Sequence, residues 1–181
     1  MAERYEIRFS GAGGQGLITA GIILAEAAAI NEGKFAAQSQ SYGPEARGGA
    51  SKSEVIISDG PIDYPKATIV DACLAMTQES ADKYAVGIKD GGVLLIDTDF
   101  VKNEPKGNFK TYKLPIMRTA KEDLGREIVA NVVALGAMIA LTGVVSKEAG
   151  LKAVLAKVPA AFVELNEKAF NLGYEKIKSQ L

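Results

Sequence analysis

Histidine is absent from the 181 residues, and cysteine occurs once, as Cys73. Without an imidazole, the chain has neither a histidine general base nor a histidine metal ligand of its own. One thiolate cannot hold an iron–sulfur cluster, and it cannot close an internal disulfide. Because Cys73 lies in the apolar run Ala72–Ala75, and free cysteine is among the most buried residue types, we predict that it is a small core residue.

The chain also lacks a charge excess and a long apolar run. Lysine and arginine number 21 against 22 acidic residues, a net charge of −1, so we expect no nucleic-acid partner. The longest apolar run, Val132–Leu141, is shorter than the roughly 20 residues that cross a bilayer. The N-terminus enters a strand without a secretory signal, which predicts a cytoplasmic protein with no membrane span.

A glycine-rich turn is the first feature that suggests a ligand. Tyr5–Phe9 alternates apolar and polar residues as a strand does, and Leu17–Ile30 is apolar enough for a buried helix. Between them, the glycines follow GxGxxG spacing, and backbone N–H groups at such a turn and helix start can bind an anion such as a phosphate. The candidate residues are Gly11, Gly13, Gly14, Gln15 and Gly16. The alternative is a tight turn that binds nothing.

The second strand ends without the acidic residue that dinucleotide-binding folds use. We predict this strand at Lys34–Gln38, and an Asp or Glu near its end would hold the ribose hydroxyls of NAD. Gln38, Ser39 and Gln40 stand there instead. The sequence therefore disfavours NAD as the ligand.

A second candidate loop follows, with the sequence SYGPEARGG over residues 41–49. Its Gly-Pro and Gly-Gly pairs break regular structure, and loops carry functional groups more often than regular elements do. Tyr42 offers a stacking face, Arg47 a planar fork for phosphate or carboxylate, and Gly48 and Gly49 a low backbone that a large ligand can approach. The alternative is a solvated turn closed by an internal Glu45–Arg47 pair.

We expect the two loops to form one site. Strands one and two are predicted to be adjacent, and ligands of open α/β sheets bind outside the carboxyl ends of the strands. In this hypothesis the backbone of the glycine turn faces an anion and Arg47 supplies positive charge.

The rest of the chain predicts the fold. Further strands are expected at 51–58, 69–76, 93–97 and 109–114, a short helix capped by Thr77 follows the second of these, and from Thr119 onward the chain is helical. Ile128–Leu141 is apolar except at Asn131, so we expect it to be buried, with Asn131 either tethering a neighbouring loop or contacting a ligand. We predict one three-layer Rossmann-like α/β domain over residues 1–181, with a mostly parallel central sheet and a helical C-terminal third.

Several stretches together resemble the gamma subunit of 2-oxoacid:ferredoxin (acceptor) oxidoreductases, most closely the 2-oxoglutarate type. The resemblance extends from about Glu6 to about Gly143, and the SYGPEARGG loop is its most specific part. The motifs are SGAGGQG (10–16), SYGPEARGG (41–49), SEVIIS (53–58), AMTQE (75–79) and NVVALGA (131–137).

The resemblance implies a subunit of a complex that oxidatively decarboxylates a 2-oxoacid, reduces ferredoxin and transfers the acyl group to coenzyme A. It implies alpha and beta partner subunits, possibly with a delta subunit, which would hold thiamine diphosphate and the iron–sulfur clusters. This chain has neither the cluster cysteines nor a GDG-type diphosphate motif. Its implied role is structural, with a share in coenzyme A binding.

Three interpretations stay open at this point. The chain could help to bind coenzyme A near the active-site entrance, or serve only as a scaffold in which Glu45 and Arg47 make ion pairs with other subunits. A free-standing nucleotide-dependent enzyme is the third, and the missing acid and histidine count against it.

Overall fold

The computed structural model describes residues 3–41 and 49–181. Its six strands are β1 (Arg4–Ala12), β2 (Phe35–Gln40), β3 (Ala50–Ser58), β4 (Val70–Ala75), β5 (Ile88–Asp97) and β6 (Lys110–Leu114). Its six α-helices are α1 (Leu17–Glu26), α2 (Gln78–Tyr84), α3 (Ile116–Arg118), α4 (Ala130–Thr142), α5 (Lys147–Lys157) and α6 (Val163–Lys178).

All six strands form one sheet in the order β2-β3-β1-β4-β5-β6. The neighbours β1, β4, β5 and β6 pair in parallel, while β3 runs antiparallel to both β1 and β2. The mostly parallel sheet is thus confirmed. The predicted adjacency of strands one and two is wrong, because β3 turns back after β2 and occupies the position beside β1.

Helices cover both faces of the sheet, which confirms the three-layer architecture. On one face the larger hydrophobic cluster joins the sheet to α1, α4, α5 and α6, with Phe9 and Phe170 among its fully buried residues. On the other face a smaller cluster packs α2 against β4 and β5 around Cys73 and Leu94. No helix that the structure describes is long and apolar enough to cross a membrane.

Helix starts follow local capping chemistry, and the predicted burial of Ile128 needs correction. Thr77 accepts a hydrogen bond from Ser80 N–H, as predicted, and Ser146 caps α5 in the same way. Ile128 is 84% exposed, although Ile128–Leu141 was predicted to be buried, and Phe162 is 51% exposed. Each lies in a 3₁₀ turn just before α4 or α6, where the helical periodicity that would turn it inward has not yet begun.

Candidate functional site

The glycine turn lies where the connections of the sheet diverge. After β1 the chain enters α1 on one face, and after the neighbouring strand β4 it enters α2 on the other. Loops that leave adjacent parallel strands toward opposite faces open a crevice, which is the usual ligand position in open α/β sheets. The turn therefore occupies the position that the sequence hypothesis required.

Two glycines of the turn have backbone angles that other residues rarely adopt. Gly14 has φ +85° and Gly16 has φ +75°. The side chain of Gln15 folds back, and its Oε1 accepts a hydrogen bond of 2.8 Å from the N–H of Ala12. A Cβ atom at Gly11 would collide with that same oxygen, so this glycine makes room for the bond that closes the turn. Gln15 thus has an internal structural role.

Asn131, on the first turn of α4, fixes the other end of the turn. Its Nδ2 donates to the carbonyl oxygen of Gly16 over 3.2 Å. A Cβ atom at Gly16 would lie 2.6 Å from the same nitrogen. Of the two roles predicted for Asn131, the tether is confirmed.

The start of α1 is open to an anion. Gly16 is its N-cap and offers no side-chain cap, and the first turn contains no acidic residue. The first N–H groups of a helix have no intrahelical partner, so they attract an anion. Among the described residues, an added Cβ at Gly14 would meet no atom within 4 Å, which leaves space there beside the backbone for a ligand.

A cleft of about 400 Å³ lies against this turn, between α1 and α4. Its described lining residues include Glu127 but no lysine or arginine, and Glu127 pairs with Lys121 over 3.0 Å. The described part of the cleft thus offers N–H donors but no cationic side chain. A ligand with several negative charges would need a cation from another segment or subunit.

The base of the second loop, Gly49 and Ala50, lies beside the glycine turn. It is placed there by β3 and not, as predicted, by the adjacency of the second strand to the first. Ala50, which follows Gly49, lies opposite Ala12 in the antiparallel β1–β3 ladder. Of the predicted loop residues, Gly49 is therefore placed beside the turn, whereas Tyr42, Arg47 and Gly48 lie outside the described residues.

Two residues of α2 hold this base, and the sequence argument did not assign them a role. The Glu79 carboxylate accepts a hydrogen bond from Ala50 N–H, and the Tyr84 hydroxyl donates to Ala50 C=O, each over 3.3 Å. Glu79 lies in the AMTQE stretch that supported the family resemblance, which was the one available signal.

A buried ion cluster lies behind that base. Glu54 Oε1 accepts from Arg8 Nε and Lys52 Nζ, each over 2.8 Å. Burial raises the pKa of the Glu54 carboxyl, but the two cations outweigh it, so that its pKa is lower than usual. Arg8 and Lys52 also lie 5.6 and 5.8 Å from the centre of the Tyr84 ring. The cluster thus braces the position of Tyr84.

Asp97, fully buried at the end of β5, positions α3 at the edge of the cleft. Its carboxylate accepts hydrogen bonds from the N–H groups of Asp99 and Met117, over 3.0 and 2.9 Å. Burial raises the pKa of Asp97 more than these bonds lower it. Since Met117 lines the cleft, we assign Asp97 a positioning role.

Cys73 is confirmed as a core residue. It is fully buried, and burial raises the pKa of its thiol to about 11. A thiol of that kind is neither a nucleophile nor a metal ligand near neutral pH. Among the residues that the structure describes, no group of three or more Cys, Asp or Glu side chains could hold a metal ion.

The position of Gln38 distinguishes this site from a dinucleotide-binding site, because Gln38 lies far from the glycine turn. Gln38 pairs with Val55, and Val55 pairs with Ile7, so Gln38 is level with a residue five positions before Ala12 on β1. At about 3.3 Å per residue, this is roughly 17 Å along the strand from the glycine turn. Gln38 donates to Ser53 Oγ instead, over 2.9 Å.

Comparison with known proteins resolves the family. The family model described as pyruvate ferredoxin/flavodoxin oxidoreductase matches residues 6–176. The chain belongs to this family. It is 52% identical over 177 residues to the 2-oxoglutarate synthase subunit KorC of Methanocaldococcus jannaschii, covering 97% of this chain and 95% of that subunit.

Two solved structures of family members extend the comparison. The gamma subunit of a keto/oxoacid ferredoxin oxidoreductase from Geobacter sulfurreducens is 67% identical, with a TM-score of 0.93 and 98% of both chains covered. A 2-oxoglutarate:ferredoxin oxidoreductase from Magnetococcus marinus, solved with 2-oxoglutarate, coenzyme A and succinyl-CoA, is 25% identical with a TM-score of 0.85. It includes 99% of this chain within 32% of its own. The gamma-subunit resemblance inferred from the motifs is confirmed.

Proposed function

We propose that this family member is the gamma subunit of a 2-oxoglutarate:ferredoxin oxidoreductase. The observation that carries the proposal is the 52% identity to a 2-oxoglutarate synthase subunit over nearly the full length of both chains. The complex would convert 2-oxoglutarate and coenzyme A to succinyl-CoA and carbon dioxide, with the electrons passing to ferredoxin. Alpha and beta subunits, possibly with a delta subunit, would hold thiamine diphosphate and the iron–sulfur clusters.

Within that complex, we infer that this chain contributes to coenzyme A binding. The uncapped start of α1 and the open backbone at Gly14 fit a phosphate group of the ligand. Since the described cleft contains no cation, Arg47 of the neighbouring loop is the residue proposed to supply the positive charge. Tyr42 would stack on the ligand, and Gly48 and Gly49 would let it approach. The coenzyme A-bound relative from Magnetococcus marinus makes this ligand the appropriate one to test.

The scaffold role is the second candidate, and one observation favours it. Glu127, whose carboxylate pairs with Lys121, lines the cleft, and its negative charge disfavours an anion there. In this alternative the turn stays empty, and Glu45 and Arg47 pair with charges of the other subunits.

Reconstitution with and without this chain tests the two roles. The partner subunits are purified alone and after addition of the full chain, and 2-oxoglutarate decarboxylation is measured separately from coenzyme A-dependent ferredoxin reduction. If the chain helps to bind coenzyme A, leaving it out should lower the coenzyme A-dependent step far more than decarboxylation. If it is a scaffold, both activities should fall together with the mass of the complex. Full activity of a complex that lacks the chain would contradict both roles.

A further inference from the structure

The connection between α5 and α6 is apolar, although it lies at the surface. Residues 158–163 read VPAAFV without a polar side chain, and residues 159–162 are exposed. Nearby, in the 3₁₀ turn before α4, Ile128 is the second large apolar side chain left open to solvent. Connecting segments are usually polar, and an exposed run of apolar residues is typical of an interaction surface.

These side chains border a groove of about 380 Å³ between α1, α4 and α6. Its wall is mostly apolar and includes Ile23 of α1 and Leu165 of α6. Thr19, Ile128 and Asn131 line both this groove and the cleft at the glycine turn. The groove therefore continues from the cleft, and a group that fills it lies next to the candidate ligand site.

Both charged residues among the described lining of the groove are cations. Lys157 pairs with Glu26 over 2.8 Å, whereas the exposed Arg126 pairs with no carboxylate that the structure describes. An apolar wall beside an available guanidinium is complementary to an apolar side chain that lies next to a carboxylate.

We propose that the groove binds a segment of a partner subunit of the oxidoreductase. This segment inserts an apolar side chain between Ile128 and Phe162 and places a carboxylate against Arg126. The inference rests on the proposed function, which supplies the partner subunits. Burial of the exposed apolar side chains drives the association, and the planar guanidinium can hold a carboxylate through two parallel hydrogen bonds.

A second copy of this chain is a poorer occupant of the groove. In a two-fold contact a surface meets itself, so the Arg126 side chains of both copies would approach each other, and no described carboxylate lines the groove to compensate them. A contact with a different face of the next copy would build a ring or an open chain of copies. We therefore expect the isolated chain to sediment as one copy of 19.0 kDa.

A charge placed in the groove tests the contact. The full chain is mixed with the purified partner subunits, and the Kd of the complex is measured by sedimentation. Ile128→Glu and Phe162→Glu should each raise this Kd about tenfold or more, because association would then bury a carboxylate in an apolar groove. Circular dichroism of both variants should match the original chain, since both side chains are exposed in the free chain.

Two matched variants control for an added surface charge. Val86, at 86% exposure, matches Ile128, and Phe100, at 45%, matches Phe162. Neither control residue is among the described residues that line the groove, so Val86→Glu and Phe100→Glu should keep the Kd of the original chain. Unchanged binding by the two groove variants would overturn the inference, and so would equal weakening by the controls.

The carboxylate of the partner is tested at Arg126. Arg126→Glu should raise the Kd about tenfold or more because like charges would then face each other, and Arg126→Gln should make the Kd less sensitive to added salt. Lys152→Glu, at an exposed position of α5 outside the described lining, should change neither quantity. An Arg126→Glu chain that binds as the original does would overturn the assignment of a carboxylate.

Two further outcomes distinguish this inference from the proposed function. If the original chain does not join subunits of a 2-oxoglutarate oxidoreductase, the proposed function is overturned and this inference with it. If the isolated chain forms a dimer that Phe162→Glu abolishes, a second copy fills the groove, and this inference alone is overturned.

Discussion

Single residues hold the glycine turn in shape, and glycine at positions 14 and 16 serves different ends. Both positions have positive φ, but of the two only Gly16 has a described residue, the tethering Asn131, where a side chain would be added. The space at Gly14 is compatible with the proposed ligand contact, and the crowded space at Gly16 indicates a structural role. Substitution at the two positions therefore separates two free-energy costs: that of a side chain at positive φ, and that of the added contact with a neighbouring residue.

We expect Gly14→Ala to lower the free energy of unfolding by about 1 kcal/mol, the cost of a positive φ for a side chain. Gly16→Ala should cost clearly more, because the new methyl also displaces the amide of Asn131 from its hydrogen bond. Urea denaturation of both variants measures the difference. Equal losses would show that Asn131 does not restrain the turn.

The lowered pKa of Glu54 predicts that the free energy of unfolding decreases at acid pH. We call this decrease the acid limb. Its folded pKa is lower than usual, so its charge stabilises the fold at pH values above the unfolded pKa of about 4.3. That contribution is lost as the pH falls through this value toward the folded pKa.

Replacing Glu54 by Gln removes this dependence and leaves the buried Arg8 without its carboxylate partner. We expect a loss of about 3 kcal/mol at pH 7 and a shallower decline in stability as the pH falls through the unfolded pKa. Denaturation at a series of pH values measures both. The matched variant Glu164→Gln, on an exposed α6 pair, should change the stability little. An unchanged acid limb in Glu54→Gln would contradict the assignment.

At the scale of elements, local chemistry was predictable and strand order was not. Thr77 and Ser146 start their helices for reasons that lie within three residues of each cap. By contrast, nothing in the sequence of β3 states whether it lies beside β1 or beyond β2, because both places bury its apolar faces. The predicted strand order was wrong, but Gly49 still lies beside the turn, since β3, not β2, pairs with β1.

The side chains around the turn show the same contrast: the sequence predicts their local requirements but not their distant partners. Asn131 was predictable as a tether because a buried amide needs a partner, but its partner, Gly16, is 115 residues away in the chain. The roles of Glu79 and Tyr84 depend on the packing of α2 against the start of β3, which follows from the whole topology.

The distance between β2 and the glycine turn predicts that NADH does not bind. Gln38 lies too far down its strand to reach a ribose held at the turn, and it provides no carboxylate. Titration of the full chain with NADH, followed by its fluorescence, should give no saturation in the micromolar range. Saturable binding in that range would show that the missing acid was given too much weight.

At the scale of the whole molecule, the residues present predict a chain that is inactive alone. It has no histidine, and its one thiol is buried with a pKa of about 11. We expect no 2-oxoglutarate-dependent dye reduction by the isolated chain, and reduction after its partner subunits are added. Turnover by the lone polypeptide, free of other subunits, would contradict this assignment.

The measurement that tests the central claim most directly is the coenzyme A dependence of a reconstituted complex containing Arg47→Ala. A charged hydrogen bond contributes about 1.5–3 kcal/mol, so the KM for coenzyme A should rise roughly 10- to 150-fold while decarboxylation stays nearly unchanged. Lys178→Ala, which removes the same charge from the exposed end of α6, should leave both values as they are. An intact complex whose coenzyme A dependence is unchanged by Arg47→Ala would contradict the proposed binding role.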